Sequence, residues 1–165
     1  MTAQTVYHEL EPVYDGSSRI LILGTMPSPK SREFGFYYSH PQNRLWKVLS
    51  DVLESPLPET REEKERFLHD HKIAMWDVLK SCDIKGADDS SIVNPVPNEI
   101  GRILAAADIR AIFTTGAKAT QLYRKLCYPA TKRPSVCLPS TSPANCRNHT
   151  RESLTEAYRV ILEYL

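Results

Sequence analysis

Four short runs of apolar residues constrain this chain more than any other feature: Arg19–Leu23, Ile73–Trp76, Ala111–Phe113 and Val136–Leu138. They are continuous rather than alternating. That is the pattern of parallel strands covered on both faces, not of a sheet with one wet side. Between them the apolar residues change to a helical period. Leu45, Val48, Leu49, Val52 and Leu53 recur at i, i+3, i+4, i+7 and i+8. Ile100, Ile103, Leu104 and Ala107 repeat the spacing, as do Ala119, Leu122, Tyr123 and Leu126. A last helix carries Leu154, Ala157, Tyr158, Ile161 and Leu165. Strands alternating with helices imply crossover connections and an α/β fold. The expectation is a three-layer α/β/α sandwich around a small, mainly parallel four-stranded sheet.

Length and composition agree with one domain over 1–165, since the chain has 165 residues, 41% hydrophobic and 25% charged. No repeat or linker interrupts it. No window approaches the roughly 20 apolar residues that span a bilayer. The acidic start, MTAQTVYHELEPVYDG, lacks a basic-then-apolar leader. A cytoplasmic protein with no membrane association is expected. Cys82, Cys127, Cys137 and Cys146 form no CxxC pair and read as reduced thiols, so no metal site and no cofactor is expected.

The formal net charge of +1 conceals an uneven distribution. From Lys118 to Arg151 there are seven basic residues (Lys118, Arg124, Lys125, Lys132, Arg133, Arg147 and Arg151) and no acid. Glu54, Glu59, Glu62, Glu63 and Glu65 crowd another stretch. A near-neutral protein can present a phosphate-binding face in this way, although an ordinary solvated surface has the same composition.

In an open α/β sheet, ligands bind beyond the carboxyl ends of the strands. The unusual loops fall there: Gly24–Asn43, Ser81–Asn98, Thr114–Lys118 and Pro139–Asn145. Prolines stiffen three of them.

Two of these loops carry a resemblance. Gly24-Thr25-Met26-Pro27-Ser28, followed by Tyr37-Tyr38-Ser39-His40-Pro41-Gln42-Asn43-Arg44-Leu45-Trp46, resembles the first motif of mismatch-specific and hypoxanthine-DNA glycosylases of the uracil-DNA glycosylase superfamily. Leu138-Pro139-Ser140-Thr141-Ser142-Pro143-Ala144-Asn145 resembles the second motif, the loop those enzymes press into the minor groove. Asp89–Ile92 and Asn94–Asn98 are similar to the middle segment of the hypoxanthine branch. The mismatch-uracil enzymes carry a water-activating Asn directly after the first strand. That position here has none, which favours the hypoxanthine branch.

The resemblance implies an enzyme that flips a deaminated base, hypoxanthine first, out of double-stranded DNA and hydrolyses its glycosidic bond. The catalytic amide it implies is Asn43, holding a water through its oxygen; Asn43 also precedes a helix and suits an N-cap. Gly24, Thr25, Met26, Pro27, Tyr37, Tyr38 and His40 are implied for the base pocket. Each tyrosine is equally suited to be base wall or core, and Phe34 or Phe36 can substitute. For DNA the candidates are Ser28, Ser140, Thr141, Ser142, Pro143, Ala144, Asn145, Arg147, Arg151 and Lys118. The Ser-Thr-Ser-Pro run alone reads equally as a turn. Asp88 and Asp89 either contact the base edge or tie loops together. Other readings are uracil or thymine mismatch repair, hydrolysis of free nucleosides or nucleotides, and a DNA-binding module without catalysis. A monomer is expected.

No lysine occupies a nucleophile position in either motif, Lys30 being the nearest, so water attacks and the backbone stays intact. Purified protein is expected to leave heat- or alkali-labile abasic sites. Strand nicking that keeps pace with base release, without heat or alkali, would contradict this.

Overall fold

The computed structural model describes residues 2–145 and 147–165, so the reading of Cys146 lies outside the described residues. The four apolar runs are the four strands of a wholly parallel sheet: β2 (Ile20–Gly24), β3 (Ile73–Asp77), β6 (Ala111–Thr115) and β7 (Ser135–Leu138), in the order β3-β2-β6-β7. Every residue of β2, β3 and β6 is buried, which explains their unbroken apolar runs; β7, at the sheet edge, exposes Val136 and Cys137, so the expectation of two covered faces fails there. Helices flank the sheet: α1 (Pro29–Phe34), α2 (Leu45–Leu53), α3 (Arg61–Asp70), α4 (Gly101–Ala106), α5 (Ala117–Leu122), α6 (Tyr128–Thr131) and α7 (Arg151–Tyr158). The chain has the α/β architecture expected from its sequence.

The amphipathic periods mark α2, α4, α5 and α7. Two of these patterns continue past their α-helices as tighter or wider turns, a π-turn at Tyr123–Cys127 and a 3-10 turn at Arg159–Tyr164. Helices α1 and α3 have no counterpart in the apolar pattern. In α3 only Phe67 and Leu68 are buried, so its stripe is too narrow to register. Two members of the acidic stretch, Glu62 and Glu63, occupy its first turn, where carboxylates oppose the helix dipole.

The main departure is a second sheet. A loop is expected over 81–98; instead β4 (Leu79–Lys85) and β5 (Asp88–Pro97) form an antiparallel hairpin, with β1 (Gln4–Tyr7) on the far side of β4. The cause is the half-exposed character of this sheet. Its residues alternate in burial, register shifts interrupt the pairing, and Pro95 and Pro97 sit in β5, an edge strand that tolerates them.

The two sheets meet at one bend. β3 ends at Asp77, the backbone turns at Val78, and β4 begins at Leu79. Val78 donates to the Gly24 carbonyl (2.8 Å) and Leu79 to the Thr25 carbonyl (3.1 Å). The Asn98 amide bridges the Asp77 and Leu79 carbonyls, at 3.0 Å each. Near the other end of the chain, α7 starts at a reciprocal cap. Ser153 N–H donates to Thr150 Oγ1 (3.1 Å), and Thr150 N–H donates to Ser153 Oγ (2.9 Å). Helix α7 packs on α2.

Among the described residues, no helix is long and apolar enough to cross a membrane, and no group of three or more His, Cys, Asp or Glu side chains is placed to hold a metal ion. Thr150→Ala removes the cap on α7 and is expected to cost about 1 kcal/mol in chemical denaturation. A loss under a few tenths would mean the cap contributes nothing to the fold.

Candidate active site

The carboxyl ends of the parallel strands bring Gly24, Asp77 and Thr115 to one edge of the sheet, with Ser140 just beyond β7. These residues line a cavity of about 280 Å³. That is close to the lower end of small-molecule sites, a size for one base rather than a nucleotide. Of the predicted residues, Gly24, Thr25, Met26, Pro27, Ser28, Tyr37, Tyr38, His40 and Asn43 line it from the first loop. Ser140, Thr141, Ser142, Pro143 and Ala144 line it from the second. Loops far apart in sequence therefore share one cavity.

At its floor, Gly24 and Asp77 are register partners at the ends of β2 and β3. A Cβ on residue 24 would stand 2.6 Å from Asp77 Oδ1 and 2.8 Å from the Tyr38 hydroxyl. Only a residue without a side chain lets these two groups converge there. The other Asp77 oxygen meets His8 Nε2 at 2.8 Å, and the His8 and Asp77 side chains are 1% and 5% exposed. Tyr38 Oη lies 3.0 Å from Thr115 Oγ1, and either hydroxyl can be the donor. Burial, with the Asp77 charge adding to it, holds the Tyr38 phenol well above its ordinary range. It therefore remains a neutral hydroxyl near pH 7.

Tyr37 is 2% exposed, and its hydroxyl donates to the Glu11 carbonyl (2.7 Å). Most of this ring is core, packed edge-on to Phe36, while Tyr38 is half-buried and turned to the cavity. Phe34 is exposed on α1 and Phe36 is buried beside Trp46; neither lines the cavity. His40 Nδ1 accepts from the Gln42 N–H (3.0 Å), a local turn at the rim.

Asn43 is at the cavity, but its oxygen is occupied. Oδ1 accepts from Leu45 N–H (2.9 Å), a local turn one residue ahead of the Arg44 N-cap of α2, and from the Thr141 hydroxyl (2.8 Å), tying the first loop to the second. Both acceptor directions are filled, so the amide has only its N–H groups left to offer. The expectation that it holds water through oxygen gives way to this geometry. Arg44 strengthens the same tie. Its N–H donates to the Thr141 carbonyl (3.2 Å), and its guanidinium donates to the Ser142 (3.1 Å) and His149 carbonyls.

The second loop is internally braced. Ser140 Oγ accepts from Ser142 N–H (3.1 Å), Ser142 Oγ from Ala144 N–H (3.2 Å), and Asn145 donates to the Ser140 carbonyl (2.9 Å). Thr141 is buried, its hydroxyl engaged with Asn43, so it is no phosphate donor. Pro143 and Ala144 remain at the rim as an apolar edge. Ser28 caps α1 by accepting from Ser31 N–H (3.1 Å).

The basic residues divide. Arg151 closes a two-pronged pair on Asp51 (2.7 and 2.8 Å), fastening α7 to α2, so its fork is not open to a phosphate. Lys132 and Arg133 precede β7, at the opposite end of the sheet from the cavity, and Arg133 donates to the Ile109 carbonyl (2.7 Å). The acid-free third is therefore not one continuous phosphate face. Lys118, at the start of α5, is on the cavity side, and Arg147 is exposed just past the second loop.

Sequence reading missed Asp77, His8, Arg44 and Thr115. Asp77 did leave a signal: it is a charged residue directly ending a fully apolar strand. The hairpin adds Ile84, Gly86, Ala87 and Asp89 to the wall. Asp88 is exposed and holds the turn through Ser90 (3.0 and 2.6 Å). Burial pushes the Asp89 carboxyl above its ordinary range; the Thr25 hydroxyl opposes this, Asp77 adds to it, and Lys118 offsets part.

An α/β domain with a base-sized cavity at its strand ends and a braced loop at the mouth is the framework of a DNA glycosylase. The chain belongs to the Uracil DNA glycosylase superfamily, whose family model matches residues 11–165. It is 33% identical over 151 residues to a hypoxanthine DNA glycosylase of Methanosarcina acetivorans, covering 88% of this chain and 92% of that protein. A hypoxanthine DNA glycosylase of Methanosarcina barkeri is 29% identical over 110 residues, covering 66% and 70%. A solution NMR structure of a uracil DNA glycosylase candidate from Methanosarcina acetivorans superposes with a TM-score of 0.79 at 26% identity, covering 96% of this chain and 99% of that one.

Gly24→Ala is expected to abolish base release, because the added methyl displaces Asp77 or Tyr38. Single-turnover excision checks this, and wild-type rates in a folded variant would refute the crowded floor.

Proposed function

We propose that this chain is a monofunctional DNA glycosylase that excises hypoxanthine from double-stranded DNA and leaves an abasic site. One observation carries the reading: an acceptor and a potential donor, Asp77 Oδ1 and the Tyr38 hydroxyl, converge at the cavity floor over Gly24. Deamination of adenine creates the complementary edge, an N1–H donor beside a C6=O acceptor. Adenine offers the reverse, a bare N1 beside an amino group, and would set its lone pair against the carboxylate. A site that pairs with such an edge rejects the reversed one strongly, because its own buried polar groups would be left unpaired. The similarity to two proteins named hypoxanthine DNA glycosylases supports the same choice.

Cleavage leaves positive charge on the sugar, and the attacking water needs placement more than activation. The Asn43 amide N–H groups are suited to hold that water by donating to its oxygen, which keeps a lone pair for C1′. Pro143 and Ala144 fill the gap left by the flipped nucleotide. Lys118, Arg147, Ser140 and Ser142 are the proposed phosphate and backbone contacts. The protein acts as a monomer on its DNA and requires no cofactor.

Duplexes carrying a single hypoxanthine, uracil, thymine mismatch, adenine or cytosine, together with free inosine, test this reading. Hypoxanthine is expected to be released fastest, with uracil, which shares the N–H/C=O edge, next; adenine, cytosine and free inosine should be spared. Asn43→Ala is expected to lose roughly 100-fold or more in single-turnover rate, with DNA binding retained. Release from free inosine but not from DNA would overturn the proposal.

A further inference from the structure

The β4–β5 hairpin brings to the cavity a carboxyl group that the reading above does not use. We infer that Asp89 is a catalytic residue, the general acid that protonates a basic ring nitrogen of the departing purine. This rests on the glycosylase reading and deepens it.

The placement is specific. Asp88 and Asp89 are adjacent, and strand alternation sends them to opposite sides. Asp88 stays exposed and holds the turn, while Asp89 is half-buried and lines the cavity. Asp77 and Asp89 are the two carboxyl groups lining the cavity among the described residues. Their surroundings differ. Asp77 is fastened to His8 Nε2 at 2.8 Å, a cation partner when that ring is protonated. Among the described residues, Asp89 has no basic partner within ion-pair distance. The groups facing it are the Thr25 hydroxyl after β2, Asp77 at the end of β3, Lys118 at the start of α5, and Asp88 beside it in β5. Its charge also reaches Tyr38 in the first loop and Cys82 on β4. Burial outweighs Lys118 and raises its proton affinity. Two carboxyl groups in one site with unlike environments take different roles, and the one not fastened to a histidine is the one placed to carry a proton.

The chemistry balances. As the C1′–N9 bond breaks, its electron pair passes into the purine, and the Asp89 proton goes to N7 or N3, so hypoxanthine leaves neutral. Water forms the new C1′–O bond and releases its proton to bulk solvent, from which the Asp89 carboxylate is reprotonated. Neither oxidant nor reductant is required.

The sign of the pH dependence follows. The acid is protonated below its folded pKa, so the wild-type rate on hypoxanthine should fall as pH rises through that value. Asp89→Asn is expected to lose roughly 100-fold or more and this descending limb with it. Asp89→Glu should restore part of both, and Asp88→Asn should keep the wild-type profile. Duplexes with 7-deaza- and 3-deaza-hypoxanthine remove one candidate nitrogen each. At one of them, wild type and Asp89→Asn should become equally slow. These wild-type arms report even if Asp89→Asn fails to fold. Release of no base by the wild type sinks the glycosylase reading itself. An active wild type with Asp89→Asn unchanged, or with full Asp89 dependence on both deaza substrates, overturns this inference alone.

Discussion

The whole site depends on the lack of a side chain at residue 24. Gly24 ends the inner strand β2 opposite Asp77 at the end of β3, and its carbonyl receives the Val78 N–H as the chain leaves β3 for the second sheet. One position therefore joins two sheets, admits a buried carboxylate, and leaves space for a phenol beside it. Close packing leaves no room to adjust, since even a methyl group there must displace a neighbour. The cavity floor and the fold are the same object at this point.

A second tie sets the mouth. Thr141 and Asn43, 98 residues apart in sequence, meet through a hydrogen bond of 2.8 Å, and the same amide oxygen also accepts from the Leu45 N–H. Arg44 reinforces the contact on the other side. Structure and function are not competing explanations of Asn43 here. Its two bonds fix the amide's orientation, and that orientation determines which of its atoms can meet a substrate. A side chain locked by its neighbours in this way places a reactant more accurately than one free to rotate.

What the sequence makes legible follows from what each element buries. Strands covered on both faces print themselves as continuous apolar runs, so β2, β3 and β6 were readable to within two residues. The β4–β5 hairpin, wet on one side and carrying prolines on an edge, left only an irregular alternation that a loop can imitate. The two motif loops were readable because their residue types are unusual together. Asp77 and His8 were not, because their pairing spans 69 positions and neither lies in a motif. Arg151 shows the converse: a basic residue beside a binding loop is equally suited to an ion pair, and Asp51 on α2 claims it. Charge counted along a chain says nothing about which end of a sheet it decorates, and Lys132 and Arg133 lie at the far one.

The stretch ahead of the parallel sheet has an unexpected standing. It contributes one exposed strand, β1, and few core residues, yet His8 braces Asp77 and the Glu11 carbonyl holds the Tyr37 hydroxyl. Clipping it would leave a carboxyl group sealed in the interior without its hydrogen-bond partner, which costs more than the loss of a few apolar contacts. The leading segment is thus a strap drawn across the back of the pocket. Changes made to it, including fusion tags appended nearby, would be felt in the chemistry before they were felt in the architecture.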